Sequence, residues 1–252
     1  MGNSFQRWYQ HFLEWFLMIK LVLESSLFLI GVPALLILIM RLFGIALQSA
    51  LLNSSRFLWI LAPGTIIHEL SHLLVCILFG LPVDKIVLYH PEEDGTLGHV
   101  DYEYNTLSFK DRLGASISGF APVIGISLLE YAIYSKLFPQ NISTLINDLK
   151  SINVINFIKD FFLPGGNIFH MILFIGLSIL LLSGYSISKA DLQSVKTGAI
   201  ELIELAIIIS VISLIIPSFR NTIIIGMEML FMLSLAMIIL CMLSLLIIKA
   251  FF

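Results

Sequence analysis

Three residues carry the clearest chemistry in the chain: His68, Glu69 and His72, which stand in the pattern His-Glu-Leu-Ser-His. Residues four apart lie on one face of an α-helix, so both imidazoles can reach a single metal ion. The intervening glutamate would then lie beside that metal, where a carboxylate can take a proton from water. The spacing therefore predicts a metal-dependent hydrolytic centre, with His68 and His72 as ligands and Glu69 as the base.

The motif is unusual because it lies within residues 57–79, an apolar stretch long enough to cross a bilayer as a helix. Ionisable groups are costly in hydrocarbon, so a cluster of them inside a span indicates a functional site. The competing interpretation is a buried polar cluster that hydrogen-bonds neighbouring helices together. Pro63 and Gly64 precede the motif by about one helical turn and predict a start or a kink there.

The composition is that of a membrane protein. Of the 252 residues, 58% are hydrophobic and only 12% are charged, whereas soluble domains are about 25% charged. We therefore expect the chain to lie in a lipid bilayer. No basic patch with interleaved aromatic residues is present in the sequence, which argues against a nucleic-acid partner.

The hydropathy pattern predicts an all-α integral membrane bundle of about six transmembrane helices. Residues 1–26 are predicted to form an N-terminal, aromatic-rich amphipathic segment at the membrane interface. Residues 27–252 are predicted to form a single polytopic membrane domain. The six predicted spans are 27–47, 57–79, 113–136, 167–185, 198–216 and 223–248.

Two connections between the predicted spans are longer than a turn. Residues 84–90 and 98–104 are β-prone runs on either side of an Asp94-Gly95 turn, which predicts a small β-hairpin after the motif helix. Residues 139–166 alternate apolar with polar side chains and predict a helix lying on the membrane surface.

The motif supplies two ligands, whereas hydrolytic zinc sites usually have three protein ligands and one open position. Asp191 follows the fourth predicted span, on the same side of the membrane as the hairpin, and is the first candidate. Alternatively, Asp191 is a solvated loop residue or the N-cap of the fifth span. Three other residues could replace it as the third ligand: Glu201, Glu204 and His170.

The order of these features resembles the site-2 protease family of intramembrane zinc metalloproteases. The resemblance covers about residues 61–193: the HExxH motif on a spanning helix, a hairpin-like segment, a helix rich in small residues at 114–122, and then Asp191. It implies a protease core of about residues 57–197, Zn²⁺ bound by His68, His72 and an aspartate, and Glu69 as the base. The family's aspartate typically precedes a glycine, whereas Leu192 follows Asp191. The chain therefore resembles a divergent, small membrane zincin.

This resemblance implies a zinc metalloendopeptidase that hydrolyses peptide bonds of membrane-embedded or membrane-proximal protein substrates. Two alternatives stay open: a catalytically inactive zincin fold that acts as a binding or scaffold partner, and a metal transporter. Against a transporter, the sequence has no inverted repeat. The distribution of basic residues favours a cytoplasmic N-terminus. The small size and the lack of a recognisable targeting signal favour a prokaryotic plasma membrane.

Overall fold

The structure is a computed structural model, and it describes residues 20, 30–31, 34–35, 38–43, 45–46, 55–92, 95–151, 153–164, 168–216, 218–219, 222–223, 239, 242 and 246. The predicted interfacial segment at 1–26 lies almost entirely outside the described residues, as does most of the sixth predicted span. Within the first predicted span, 27–47, the described residues are all helical.

The described part of the chain is mostly helical and contains a two-stranded antiparallel sheet. Its α-helices are α1 (Ala62–Phe79), α2 (Phe109–Leu137), α3 (Ile142–Lys150), α4 (Val154–Phe162), α5 (Ile168–Leu181), α6 (Lys189–Thr197) and α7 (Ala199–Ile215). Its strands are β1 (Val83–Val87) and β2 (His99–Tyr102). Two 3-10 helices, Ser55–Leu61 and Leu182–Tyr185, lead into α1 and follow α5.

Three helical segments among the described residues are long and apolar enough to cross a membrane: Leu58–Phe79, Phe109–Leu137 and Ile168–Tyr185. They match the second, third and fourth predicted spans. The fifth predicted span appears as α7, which has 17 residues and is thus about 26 Å long, a little shorter than a hydrocarbon core of about 30 Å. The described residues therefore support a helical membrane protein with three candidate spans, not the six predicted.

Helix α1 carries the motif, and local sequence sets both of its ends. Pro63 lies in its first turn, where a proline costs no hydrogen bond, so Pro63 and Gly64 mark a helix start rather than a kink. Gly80 ends the helix with φ of +64°, and the Leu81 amide donates to the Cys76 carbonyl at 2.8 Å. This left-handed glycine ending is common at helix C-termini. It sends the chain directly into the hairpin.

The predicted hairpin is present. Strands β1 and β2 pair antiparallel, with Val87 opposite His99 and Val83 opposite Tyr102. Gly95 has φ of +88°, a conformation that favours glycine in a tight turn. Both strands contact α1, so the hairpin lies against the helix that carries the motif.

Residues 139–166 form two short helices, α3 and α4, rather than the single helix predicted. The break has a local cause, because the Asn153 side chain accepts from the Asn156 amide at 3.1 Å and so starts a second helix. The two helices bury Leu145, Phe157 and Phe161 against the bundle.

Gly64 of α1 lies in close contact with the Leu182–Tyr185 turn. A Cβ atom added to Gly64 would stand 2.8 Å from both Gly184 N and Leu181 O, which are backbone atoms with little freedom to move. The absence of a side chain at Gly64 therefore lets the turn reach the motif helix.

We expect Gly64→Ala to destabilise the protein by about 1–3 kcal/mol, the usual cost of overpacking. The measurement is thermal unfolding in detergent. Gly176→Ala is the matched control, because a Cβ there meets nothing within 4 Å. On α5, that change should stabilise by about 0.5–1 kcal/mol. Equal melting temperatures for Gly64→Ala and the wild type would contradict the close contact.

Candidate metal centre

The two motif histidines converge as their spacing predicts. His68 and His72 are buried on α1, and their Nε2 atoms lie 3.1 Å apart. Their rings meet edge to face, with centroids 4.8 Å apart. Both Nε2 atoms therefore point toward one place beside the helix.

Asp191 completes the group from α6. Its Oδ1 atom lies 3.1 Å from His72 Nε2, and its Oδ2 atom lies 3.5 Å from His68 Nε2. The side chain is buried, with 8% of the residue exposed. One ligand atom from each of the three residues falls within 4.8 Å of the others, so this buried group could hold a metal ion.

The spacing of these atoms fits a small tetrahedral ion. Zinc bonds to nitrogen and oxygen are about 2.0–2.1 Å long, so neighbouring ligand atoms of a tetrahedral site lie about 3.3 Å apart. The two imidazole Nε2 atoms lie 3.1 Å apart, close to this value. A different carboxylate oxygen faces each imidazole, Oδ1 at 3.1 Å from His72 and Oδ2 at 3.5 Å from His68, so either oxygen could be the third donor.

Each imidazole is oriented by a partner on its other nitrogen. His68 Nδ1 lies 2.9 Å from the Gly184 carbonyl, which can only accept, so Nδ1 carries the hydrogen. His72 Nδ1 lies 3.2 Å from the Ser118 hydroxyl. Outer partners of this kind are typical of metal-binding histidines. They leave the lone pair of His68 Nε2 facing the site, where a cation would bind it.

Asp191 also has a structural role, although not the predicted one at the start of the fifth span. Ser188 and Asp191 form a reciprocal capping box at the start of α6. Asp191 Oδ2 accepts from the Ser188 amide at 2.7 Å, and Ser188 Oγ accepts from the Asp191 amide at 3.0 Å. The helix capped is α6, not the fifth predicted span.

The charge state of Asp191 follows from its neighbours. Burial favours the neutral carboxyl, but hydrogen bonds and charges from His68 and His72 outweigh that effect. They hold the pKa of Asp191 well below its usual range. Asp191 is therefore an anion at neutral pH, as a metal ligand must be.

Helix α6 is held against α2 by small residues, which fixes the position of Asp191. The Ser116 hydroxyl donates to the Val195 carbonyl at 2.7 Å. A Cβ on Gly119 would lie 2.9 Å from Val195 N, so only glycine allows the two helices this separation. Ser118 lies on the same stretch of α2, where it reaches His72.

Glu69 borders a cavity of about 820 Å³ beside the three-residue group. Its side chain is buried, and the hairpin lies over it, since a Cβ on Gly98 would stand 3.0 Å from Glu69 Cγ. The cavity is also bordered by His68, by His99 and Asp101 of β2, and by the loop before α6. A molecule in this cavity would contact Glu69 and His68 together.

The other three candidate ligands lie outside the group. Glu201 forms an ion pair with Arg112 of α2. Glu204 is exposed. The His170 ring packs edge to face on Phe138, with centroids 6.2 Å apart. Of the four candidates, Asp191 alone lies beside the histidines.

Sequence reasoning missed the two partners that orient the imidazoles. Ser118 was grouped with the small residues of α2, for which close helix packing was the expected role. Gly184 acts through its backbone carbonyl. Every residue has this group, so the residue type at this position does not reveal the contact.

Comparison with known proteins gives no relative. No protein-family model, curated protein or solved structure matches the chain.

Proposed function

We propose that the protein is an intramembrane zinc metalloprotease of the site-2 protease-like kind. The observation that carries this proposal is the meeting of His68, His72 and Asp191 beside Glu69, with both histidines on a helix long and apolar enough to span a membrane. Three protein ligands, an adjacent carboxylate and a neighbouring cavity are the components of a hydrolytic zinc site.

The donor set favours zinc over the common alternatives. Two imidazole nitrogens and one carboxylate suit Zn²⁺, whereas Mg²⁺ and Ca²⁺ prefer oxygen ligands. When bound, the metal would supply Lewis-acid activation of water and of the scissile carbonyl.

The protein's own side chains would supply the remaining steps. Glu69 would accept a proton from water and deliver it to the leaving amine. Gly184 and Ser118 would keep the imidazoles oriented. The cavity would admit an unwound stretch of substrate, and a free edge of the β1–β2 hairpin would hold it as an added strand.

The substrate class follows from the surroundings of the site. Candidate spans carry or lead to every residue of the group, so the substrate would be a membrane-embedded or membrane-proximal protein. We further propose six spans and a cytoplasmic N-terminus, from the hydropathy and the basic-residue bias of the sequence. A prokaryotic plasma membrane is the proposed location.

The test is cleavage of a single-span reporter protein by the purified full chain in liposomes. We expect cleavage by the wild type, loss on treatment with a zinc chelator, and recovery when Zn²⁺ is added back. Reporter treated with the chelator in the absence of the purified protein is the control for reporter integrity. Zinc-loaded wild type that leaves several different single-span reporters intact would argue against proteolysis and favour a binding or scaffold role.

A further inference from the structure

Glu130 is a buried carboxyl that the proposed chemistry does not use. It lies on α2, within the candidate span Phe109–Leu137, and only 1% of the residue is exposed. Burying such a group in a membrane bundle is costly, so its presence there calls for a partner and a role. Among the described residues, no basic side chain forms an ion pair with it.

Glu130 interacts with Ser178 of α5 and with Tyr185, the last residue of the 3-10 turn Leu182–Tyr185. The Tyr185 hydroxyl donates to Glu130 Oε2 at 3.2 Å. The Ser127 hydroxyl lies 3.3 Å from the same tyrosine oxygen, one helical turn from Glu130 on α2. Tyr185 is itself 1% exposed, so this contact is shielded from water.

The turn that Tyr185 ends also supplies the partner of the first metal-site histidine. The residue before Tyr185 is Gly184, whose carbonyl lies 2.9 Å from His68 Nδ1. A displacement of Tyr185 would therefore move the group that orients His68.

The same turn also contacts α1 and the 3-10 helix that leads into it. The Ser183 hydroxyl donates to the Leu61 carbonyl at 2.7 Å, and a Cβ on Gly64 would lie 2.8 Å from Gly184 N. The contact with Glu130 of α2 and the contact with Leu61 thus both hold the turn that carries the Gly184 carbonyl.

We infer that Glu130 is a positioning residue for the metal centre, acting through the hydrogen bond from Tyr185 and the Gly184 carbonyl on His68. The inference rests on the metal site of the proposed function and does not require proteolysis. Loss of a direct partner of a ligand typically weakens metal binding about 10–100-fold. Because Glu130 acts on that partner and not on His68 itself, we expect an effect at the lower end of this range, about tenfold.

The test is Co²⁺ titration of the full chain in detergent, followed by visible d–d absorption, which reports the geometry of the bound ion. Glu130→Leu and Tyr185→Phe should each weaken binding about tenfold and change the spectrum. Glu130→Gln can still accept from the tyrosine hydroxyl, so it should restore wild-type affinity and spectrum. In the double variant Glu130→Leu/Tyr185→Phe, the loss of metal affinity should be no larger than in either single variant, because both substitutions remove the same hydrogen bond.

Tyr134→Phe is the matched control. Tyr134 is a buried tyrosine on α2, one turn beyond Glu130, and its hydroxyl donates to the Phe161 carbonyl at 3.2 Å, away from the turn. The Tyr134→Phe substitution should leave metal affinity and the visible spectrum unchanged. If Glu130→Leu fails to fold, Tyr185→Phe decides, because it removes a single oxygen atom.

Wild-type affinity and spectrum in Tyr185→Phe and Glu130→Leu would overturn the positioning role while leaving the metal site intact. A wild-type protein that binds neither Co²⁺ nor Zn²⁺ would overturn the metal site itself, and the two failures are therefore distinguishable.

Discussion

Replacing Glu69 by glutamine should reduce peptide hydrolysis about a thousandfold, within the 10²–10⁴-fold range that general acid–base groups contribute. Glutamine keeps the size and the hydrogen-bonding reach of the side chain but cannot take up a proton. Glu69 is not one of the three residues that could hold the ion, so zinc content should stay at the wild-type level. The measurements are initial rates on a single-span reporter in liposomes and zinc per chain on the same samples.

Glu92→Gln is the matched control for Glu69→Gln. Glu92 borders the same cavity but is exposed, and Glu92→Gln removes one negative charge, as Glu69→Gln does. Its turnover should remain within about threefold of the wild type, as expected for a surface change away from the reacting atoms. Substantial turnover in zinc-loaded Glu69→Gln, at a tenth of the wild-type rate or more, would remove Glu69 from the role of base.

Replacing Asp191 by asparagine should remove most of the bound zinc. The change deletes the negative charge that faces both imidazoles while nearly preserving side-chain shape. Because Asp191 would contact the ion directly, we expect a loss greater than the about 10–100-fold cost of losing an outer partner. Zinc per chain after dialysis, together with competition against a chelator of known affinity, measures the effect.

Two further variants separate the ligand role of Asp191 from its capping role. Ser188→Ala removes the helix cap of α6 at a cost of about 1 kcal/mol but keeps the carboxylate, so zinc should be retained. Glu204→Gln removes a candidate ligand that is exposed and should also retain zinc. Full zinc occupancy in Asp191→Asn would show that this carboxylate is not a ligand.

The local features of the site could be predicted because short-range rules determine them. Four-residue spacing on a helix brings His68 and His72 together, and two β-prone runs separated by a short turn signal form the hairpin. Pro63 likewise marks the start of α1. Each of these outcomes depends on a few neighbouring residues.

The features that could not be predicted depend on packing between distant segments. The sequence could not decide whether Asp191, Glu201, Glu204 or His170 is the third candidate ligand. That choice depends on the contact of α2 with α6, which brings Asp191 to the histidines. The backbone carbonyl of Gly184 is invisible to any argument from residue types. The break between α3 and α4 could not be predicted either. Asn153 caps α4, but within an amphipathic run a capping asparagine looks the same as one on the polar face of a continuous helix.

The three residues that could hold the ion are widely separated along the chain, and this has a consequence for how the protein is synthesised. His68, Glu69 and His72 leave the ribosome before Asp191, which follows only after two further candidate spans. A nascent chain that has inserted α1 and α2 holds two ligands and lacks the third. Under the proposed function, the growing polypeptide stays proteolytically silent until α6 docks on α2. Under that proposal, the order of synthesis would protect the membrane and the chain itself from premature cleavage.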